Sequence, residues 1–136
     1  MSLRSSHEPL SPARALTVDP RPLRSNFHHD NLDLFWSSGF GITGAITGHQ
    51  DGYYNNQLYQ AKDGNYGNPA GCTSFGQGPN ATTVYGNTVW TPTGAVTECG
   101  MSLAAYQAKG GDPGTTAASY PDDSVVLALA RKLMGL

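Results

Sequence analysis

The sequence predicts an all-β chain with terminal helices, wound as a solenoid. Three observations point there. Turn residues punctuate the middle of the chain every few positions, charge is sparse, and a short Asn-bearing strand recurs after 31 residues. The 136 residues include 17 Gly and 9 Pro, about a fifth of the chain where roughly an eighth is usual. Only 13% are charged, against roughly 25% in an average domain. This balance disfavours a helical bundle or coiled coil, which draw on Ala, Glu, Lys and Leu. The length is that of one domain.

Residues 1–25 carry four Arg and four Pro with no apolar periodicity. Pro removes backbone donors and blocks regular pairing, so a disordered leader is expected. Its apolar stretches are too short for a secretory signal. Its Arg content resembles a transit peptide, but Glu8 and Asp19 argue against one. Residues 26–100 are expected to form coils, and residues 101–136 a helical cap and tail.

Within the coils, Gly39, Gly41, Gly44, Gly48 and Gly52 come first, then Asp63-Gly64, Asn68-Pro69, Gly78-Pro79 and Thr93-Gly94. These are turn signals, because Gly supplies positive φ and Pro presets it. Between them lie short β-type runs: Ile42–Thr47, Tyr53–Tyr59, Thr82–Trp90 and Ala95–Thr97. Tyr53 to Tyr59 aligns with Val84 to Trp90, the two copies matching at Asn56 and Asn87. A strand that returns after one loop-bearing coil is the pattern of a solenoid. There the Asn would take a left-handed corner and hydrogen-bond to its counterpart on the next coil. Two such strands can also coincide in a chain this rich in Asn and Tyr.

The carboxyl end reads as helix. Ser102 suits an N-cap, Lys109 the negative end of the dipole, and Gly110 the residue after it. Gly111 to Pro121 reads as extended loop. Asp122 and Asp123 then open a helix from Val125 to about Met134, with Arg131 and Lys132 at its other end. Val125, Leu129 and Leu133 form a stripe expected to bury over the end of the solenoid.

Several segments together resemble a known group of proteins. They are Gly48 to Asn56, Val84-Tyr85-Gly86-Asn87, Thr91 to Leu103 (TPTGAVTECGMSL), Gln107 to Thr116 (QAKGGDPGTT) and Pro121-Asp122-Asp123. The chain from Asn26 to Leu136 is similar to the carboxyl-terminal end of large, uncharacterised, secreted-type right-handed parallel β-helix proteins. The resemblance implies a truncated right-handed parallel β-helix capped by a carboxyl-terminal α-helix, with an extracellular setting for the parent group. Such proteins are several times longer, so an active site on upstream coils would be absent here. Their fold is shared with pectate lyases and other polysaccharide-acting proteins.

Cys72 and Cys99 are an even pair without CxxC or Cys-x-x-His spacing. A disulfide from the 68–78 loop to the start of the cap is one reading, and two buried thiols the other. Neither spacing nor composition calls for a metal or any cofactor. Asn80-Ala81-Thr82 is a glycosylation sequon. His28, His29, Asp30 and Asp33 form one polar cluster. His49, Asp51 and Asp63 are the candidates for an acid/base site, with Lys62 the base nearest to them in sequence. Asp51-Gly52 and Asp63-Gly64 are equally turn pairs. Tyr53, Tyr54, Tyr59, Tyr85 and Trp90 are candidates for stacking on sugar rings, or for core packing.

Net charge is −2, and only Lys62 and Lys109 are basic between Arg24 and Arg131, which excludes an electrostatic nucleic-acid binder. No apolar run approaches the roughly 18 residues of a membrane span. The expected partners are a polysaccharide, and a second copy meeting the amino-terminal edge of the solenoid. The expected role is a structural or glycan-contacting end piece; the alternative is part of a polysaccharide lyase or glycoside hydrolase.

Overall fold

The computed structural model describes residues 25–37, 39–42 and 47–136, without the side chains of Phe35 and Trp36. All but the last residue of the expected leader, and most of the expected strand Ile42–Thr47, lie outside the described residues.

Each Asn-bearing run divides into two strands at its Asn corner. The first coil carries β1 (Phe27–His29), β2 (Leu32–Trp36) and β3 (Phe40–Gly41). The second carries β4 (Gly52–Tyr54), β5 (Gln57–Gln60) and β6 (Gly64–Asn68), and the third β7 (Thr83–Tyr85), β8 (Thr88–Thr91) and β9 (Val96–Glu98). Equivalent strands pair in parallel, giving three sheets that begin β1-β4-β7, β2-β5-β8 and β3-β6-β9. This is a parallel β-solenoid of about three turns. Tyr53 pairs with Val84 and Leu58 with Val89, so the 31-residue repeat is the coil itself. The first coil is shorter: His28 pairs with Tyr53 and Leu32 with Gln57, an offset of 25.

The corner between the first two strands of each coil explains the recurring Asn. Asp30, Asn55 and Gly86 hold φ of 56°, 56° and 67°, the left-handed region that Asp, Asn and Gly tolerate. The next residues, Asn31, Asn56 and Asn87, stack along the axis. Asn31 N donates to Asn56 Oδ1 at 3.1 Å, and Asn56 N donates to Asn87 Oδ1 at 2.9 Å. Asn87 N donates to Thr115 Oγ1 at 2.9 Å, so Thr115 ends the ladder after its own left-handed Gly114, φ 77°. The left-handed corner therefore belongs to the residue before the laddered Asn, not to that Asn. Gly86 is also fixed by space, since a Cβ there would stand 2.7 Å from Asn55 Oδ1.

Phe40, Tyr53, Leu58, Tyr66, Val84, Val89 and Val96 fill the interior. Phe40 stacks on Tyr53 at 4.0 Å and meets Tyr66 edge-on at 5.1 Å. Gly67 leaves the space that the Phe40 ring fills. In the first coil the inward positions of β1 and β2 are polar: His28 Nε2 lies 3.1 Å from Asp33 Oδ2.

The carboxyl end is built in two parts, which revises the expected cap. After β9, the Cys72–Cys99 disulfide ties the 69–82 return segment to the coil end. A two-residue strand β10 (Met101–Ser102) turns back antiparallel on β9 and leads into α1 (Leu103–Gln107). Ser102 is its N-cap, accepting from Ala105 N at 3.2 Å. α1 and the 108–115 segment close the end, with Leu103 and Tyr106 buried. The expected loop over Gly111–Pro121 contains a strand, β11 (Thr116–Ser119), which pairs in parallel with β8. The solenoid thus continues past residue 100. Alternation failed to reveal β11 because TAAS has no apolar-polar contrast.

α2 (Asp123–Met134) runs back along the flank of the β2-β5-β8-β11 sheet and touches β2. It does not lie over the end of the core. Val125 and Leu133 are exposed, while Val126, Leu129 and Ala130 are half-buried. A helix on a sheet flank covers one strip only, so the expected burial of Val125, Leu129 and Leu133 together is corrected. No helix among the described residues is long and apolar enough to cross a membrane.

Candidate functional site

The β1-β4-β7 sheet presents a short aromatic row on its outer face. Alternation turns His28, Tyr53 and Val84 inward and sends Phe27, His29, Tyr54, Thr83 and Tyr85 outward. His29 stacks on Tyr54 at 4.9 Å, and Tyr54 on Tyr85 at 4.8 Å, with planes within 3°. The spacing is that of neighbouring strands. It exceeds the ~3.5 Å contact of carbon atoms, so the rings are offset and each leaves part of its face uncovered. Phe27 lies over Gly52, where a Cβ would meet its ring at 2.6 Å, and meets Tyr54 edge-on. Phe27 and Tyr85 are 60% and 37% exposed, so the row is open to solvent at both ends.

The five aromatic candidates therefore separate. Tyr54 and Tyr85 belong to this outer row. Tyr53 is a core residue, its hydroxyl pushed up by burial and by the Asp33 carboxylate. Tyr59 stacks between Trp90 (4.5 Å) and Tyr120 (6.2 Å) on the flank that α2 shelters, and is buried. Trp90 beside it is half-buried.

The polar candidates do not converge. Asp51 accepts from Asn26 N (2.7 Å) and Asn26 Nδ2 (3.3 Å), fastening the first coil to the second. Asp63 sits at the corner before β6 and braces the third coil. It accepts from Thr91 Oγ1 (2.6 Å), Thr93 Oγ1 (2.9 Å) and Thr93 N (3.0 Å). These bonds, Thr91's first, hold its carboxyl below the usual range. His49 is half-buried in the return segment before β4, and Lys62 is exposed. Asn80 is exposed, accepting from Thr47 Oγ1 at 2.6 Å.

The carboxyl end gathers acids that the sequence reading did not single out. Glu98, from β9, is wholly buried, and Asp112, from the 108–115 segment, nearly so. Asp112 Oδ1 accepts from Thr115 Oγ1 at 2.5 Å. The Asp112 carboxyl also hydrogen-bonds Glu98 and Tyr66, so these groups partner one another, while Tyr106 Oη is buried without a partner. Burial, then the charge of Asp112, pushes Glu98 up to about 9, and burial raises Asp112 as well. Tyr106 is pushed up to about 12, first by burial and then by these carboxyls. Thirteen residues, a helix among them, lie between the two acids in sequence, so spacing gave no signal; the one available cue was an acid beside Cys99 at the coil end.

Compared with known proteins, the chain matches no family model, no curated protein and no solved structure. The parallel β-solenoid rests on the structure itself.

Proposed function

We propose that the chain is a non-catalytic end module whose β1-β4-β7 face holds a neutral polysaccharide. The carrying observation is the solvent-open His29–Tyr54–Tyr85 row. Offset rings with hydroxyls at their rims suit a sugar chain, whose C–H faces pack on aromatic carbon while its hydroxyls find polar tips. The three strands contain no Lys or Arg, so a uronate chain would find no fixed counter-charge, and a neutral one suits the face better. The disulfide, supporting an oxidising compartment, agrees with a secreted setting. A hydrolase or lyase would need acids poised together at an accessible face, whereas Asp51 and Asp63 brace different corners.

The test is electrophoresis through gels containing neutral polysaccharides. Retardation by at least one is expected, lost in Tyr54→Ala/Tyr85→Ala and kept in a Trp90→Ala control. Free migration in every gel, or retardation that survives the double substitution, contradicts the reading.

A further inference from the structure

We propose that Glu98 and Asp112 share one proton and that this proton is a latch: while it is held, the 103–119 segment stays docked on the last coil, and its loss releases that segment. The latch is independent of the polysaccharide reading. Glu98, on β9, is 0% exposed, and Asp112, on the segment, 3%. Two carboxyl groups in contact and out of water do not both ionise unless a cation compensates them. Among the described residues no cation pairs with either carboxyl. Lys109, the segment's own base, stands 5.1 Å over the Phe75 ring instead. The other titratable groups that face the pair are Tyr66 from β6 and Tyr106 from α1, phenols whose own protons are held first by burial. Tyr106 Oη is moreover buried without a partner beside the two acids.

The contacts say where the proton sits. The Asp112 carboxyl accepts from Thr115 Oγ1 at 2.5 Å, and it also hydrogen-bonds the Glu98 and Tyr66 side chains. A carboxyl oxygen donates only when protonated, so the proton lies on the Glu98 side and the charge on Asp112. The pair ends the Asn ladder, because the same Thr115 Oγ1 accepts from Asn87 N at 2.9 Å. Gln107 Nε2, from α1, holds that turn through Asp112 O at 3.0 Å and Thr115 O at 2.7 Å, and β11 continues it along β8. Removing the proton takes away the Glu98 donor and sets two negative charges against each other. The repulsion acts between β9 and the segment, not within the coils, whose end the Cys72–Cys99 bridge still ties. Burial, then the charge of Asp112, lifts Glu98 from 4.5 to about 9. Between those values the folded chain keeps a proton that the unfolded chain has released. Its stabilisation is therefore full below the unfolded value and is lost as pH rises through the folded one.

The experiment uses the full chain. Its only glutamates are Glu8 and Glu98, so carbon-13 in the glutamate carboxyl gives two resonances to follow against pH. One is expected to titrate in the ordinary range. The other, absent from Glu98→Gln, is expected to stay protonated past neutrality and to titrate toward about 9. Amide hydrogen exchange, corrected for the intrinsic rate at each pH, should show residues 103–119 losing protection as that resonance titrates, before the strands of the second and third coils do. In Glu98→Gln, whose amide donates to Asp112 without titrating, the segment should keep its protection over the same range. Titration of both glutamates in the ordinary range overturns the shared proton. Loss of protection from coils and segment together, or an equal loss in Glu98→Gln, overturns the latch. The two readouts on the parent chain decide the matter whether or not the variant folds.

Discussion

At the residue scale, the laddered Asn ties each coil to the next. Asn56 accepts from Asn31 and donates through Nδ2 to His28 O (3.0 Å) and Asn87 Oδ1 (3.1 Å). Asn56→Ala leaves several of these groups buried and unpaired, so a loss of about 2–4 kcal/mol is expected in urea unfolding. A loss below about 0.5 kcal/mol, the size of an ordinary surface change, would show the ladder to be incidental. Asp63 gives a pH-dependent companion. Its folded carboxyl lies below the unfolded value of 3.8, so its contribution is present above that value and is lost as pH falls through the lowered one. Asp63→Asn should be less stable than the parent near neutral pH, and the gap should close at low pH. A gap of constant size from neutrality to about pH 2, beneath the ordinary carboxylate range, would count against it. Asn56 and Asn87 were legible in the sequence because the backbone repeat placed them in register. The Glu98–Asp112 pair was not, because it forms only when the 108–115 segment folds over the last coil.

At the element scale, what was legible followed repetition and strong local signals. The parallel coils showed in the 31-residue offset, and Ser102 marked the start of α1 by its capping chemistry. β11 and the seating of α2 were hidden, since both depend on which tertiary surface is free rather than on local pattern. The corrected seating changes what truncation should do. Leu129 is half-buried, so Leu129→Ala should cost about 1 kcal/mol, whereas Leu58→Ala, in the core, should cost about 2–5 kcal/mol. Equal urea midpoints for the two variants would contradict that contrast. The Cys72–Cys99 bridge has a sequence separation of 27, and chain entropy puts its stabilisation at about 3–4 kcal/mol. Replacing both cysteines with Ser should lower stability by that order, and thiol titration of the denatured, unreduced chain should find no free thiol. Two titrating thiols would remove the bridge.

At the scale of the whole molecule, the solenoid's three faces have different neighbours. One faces α2, one carries the corner braced by Asp63, and the β1-β4-β7 face leaves an aromatic row in solvent. Because a parallel coil repeats its outward positions at the strand spacing, one ring per coil, His29, Tyr54 and Tyr85, becomes a line without any further design. The sequence listed the right residue type but could not sort it: Tyr53 and Tyr54 are neighbours in the chain and belong to opposite sides of the wall. The measurement that tests the functional account most directly is a nuclear magnetic resonance titration of the chain with a neutral oligosaccharide cut from the polymer that retards it. The expected result is saturable shifts concentrated on the Phe27, His29, Tyr54 and Tyr85 rings, with Tyr59 and Trp90 unmoved. Shifts centred on the α2 flank, or none at saturating sugar, would contradict it.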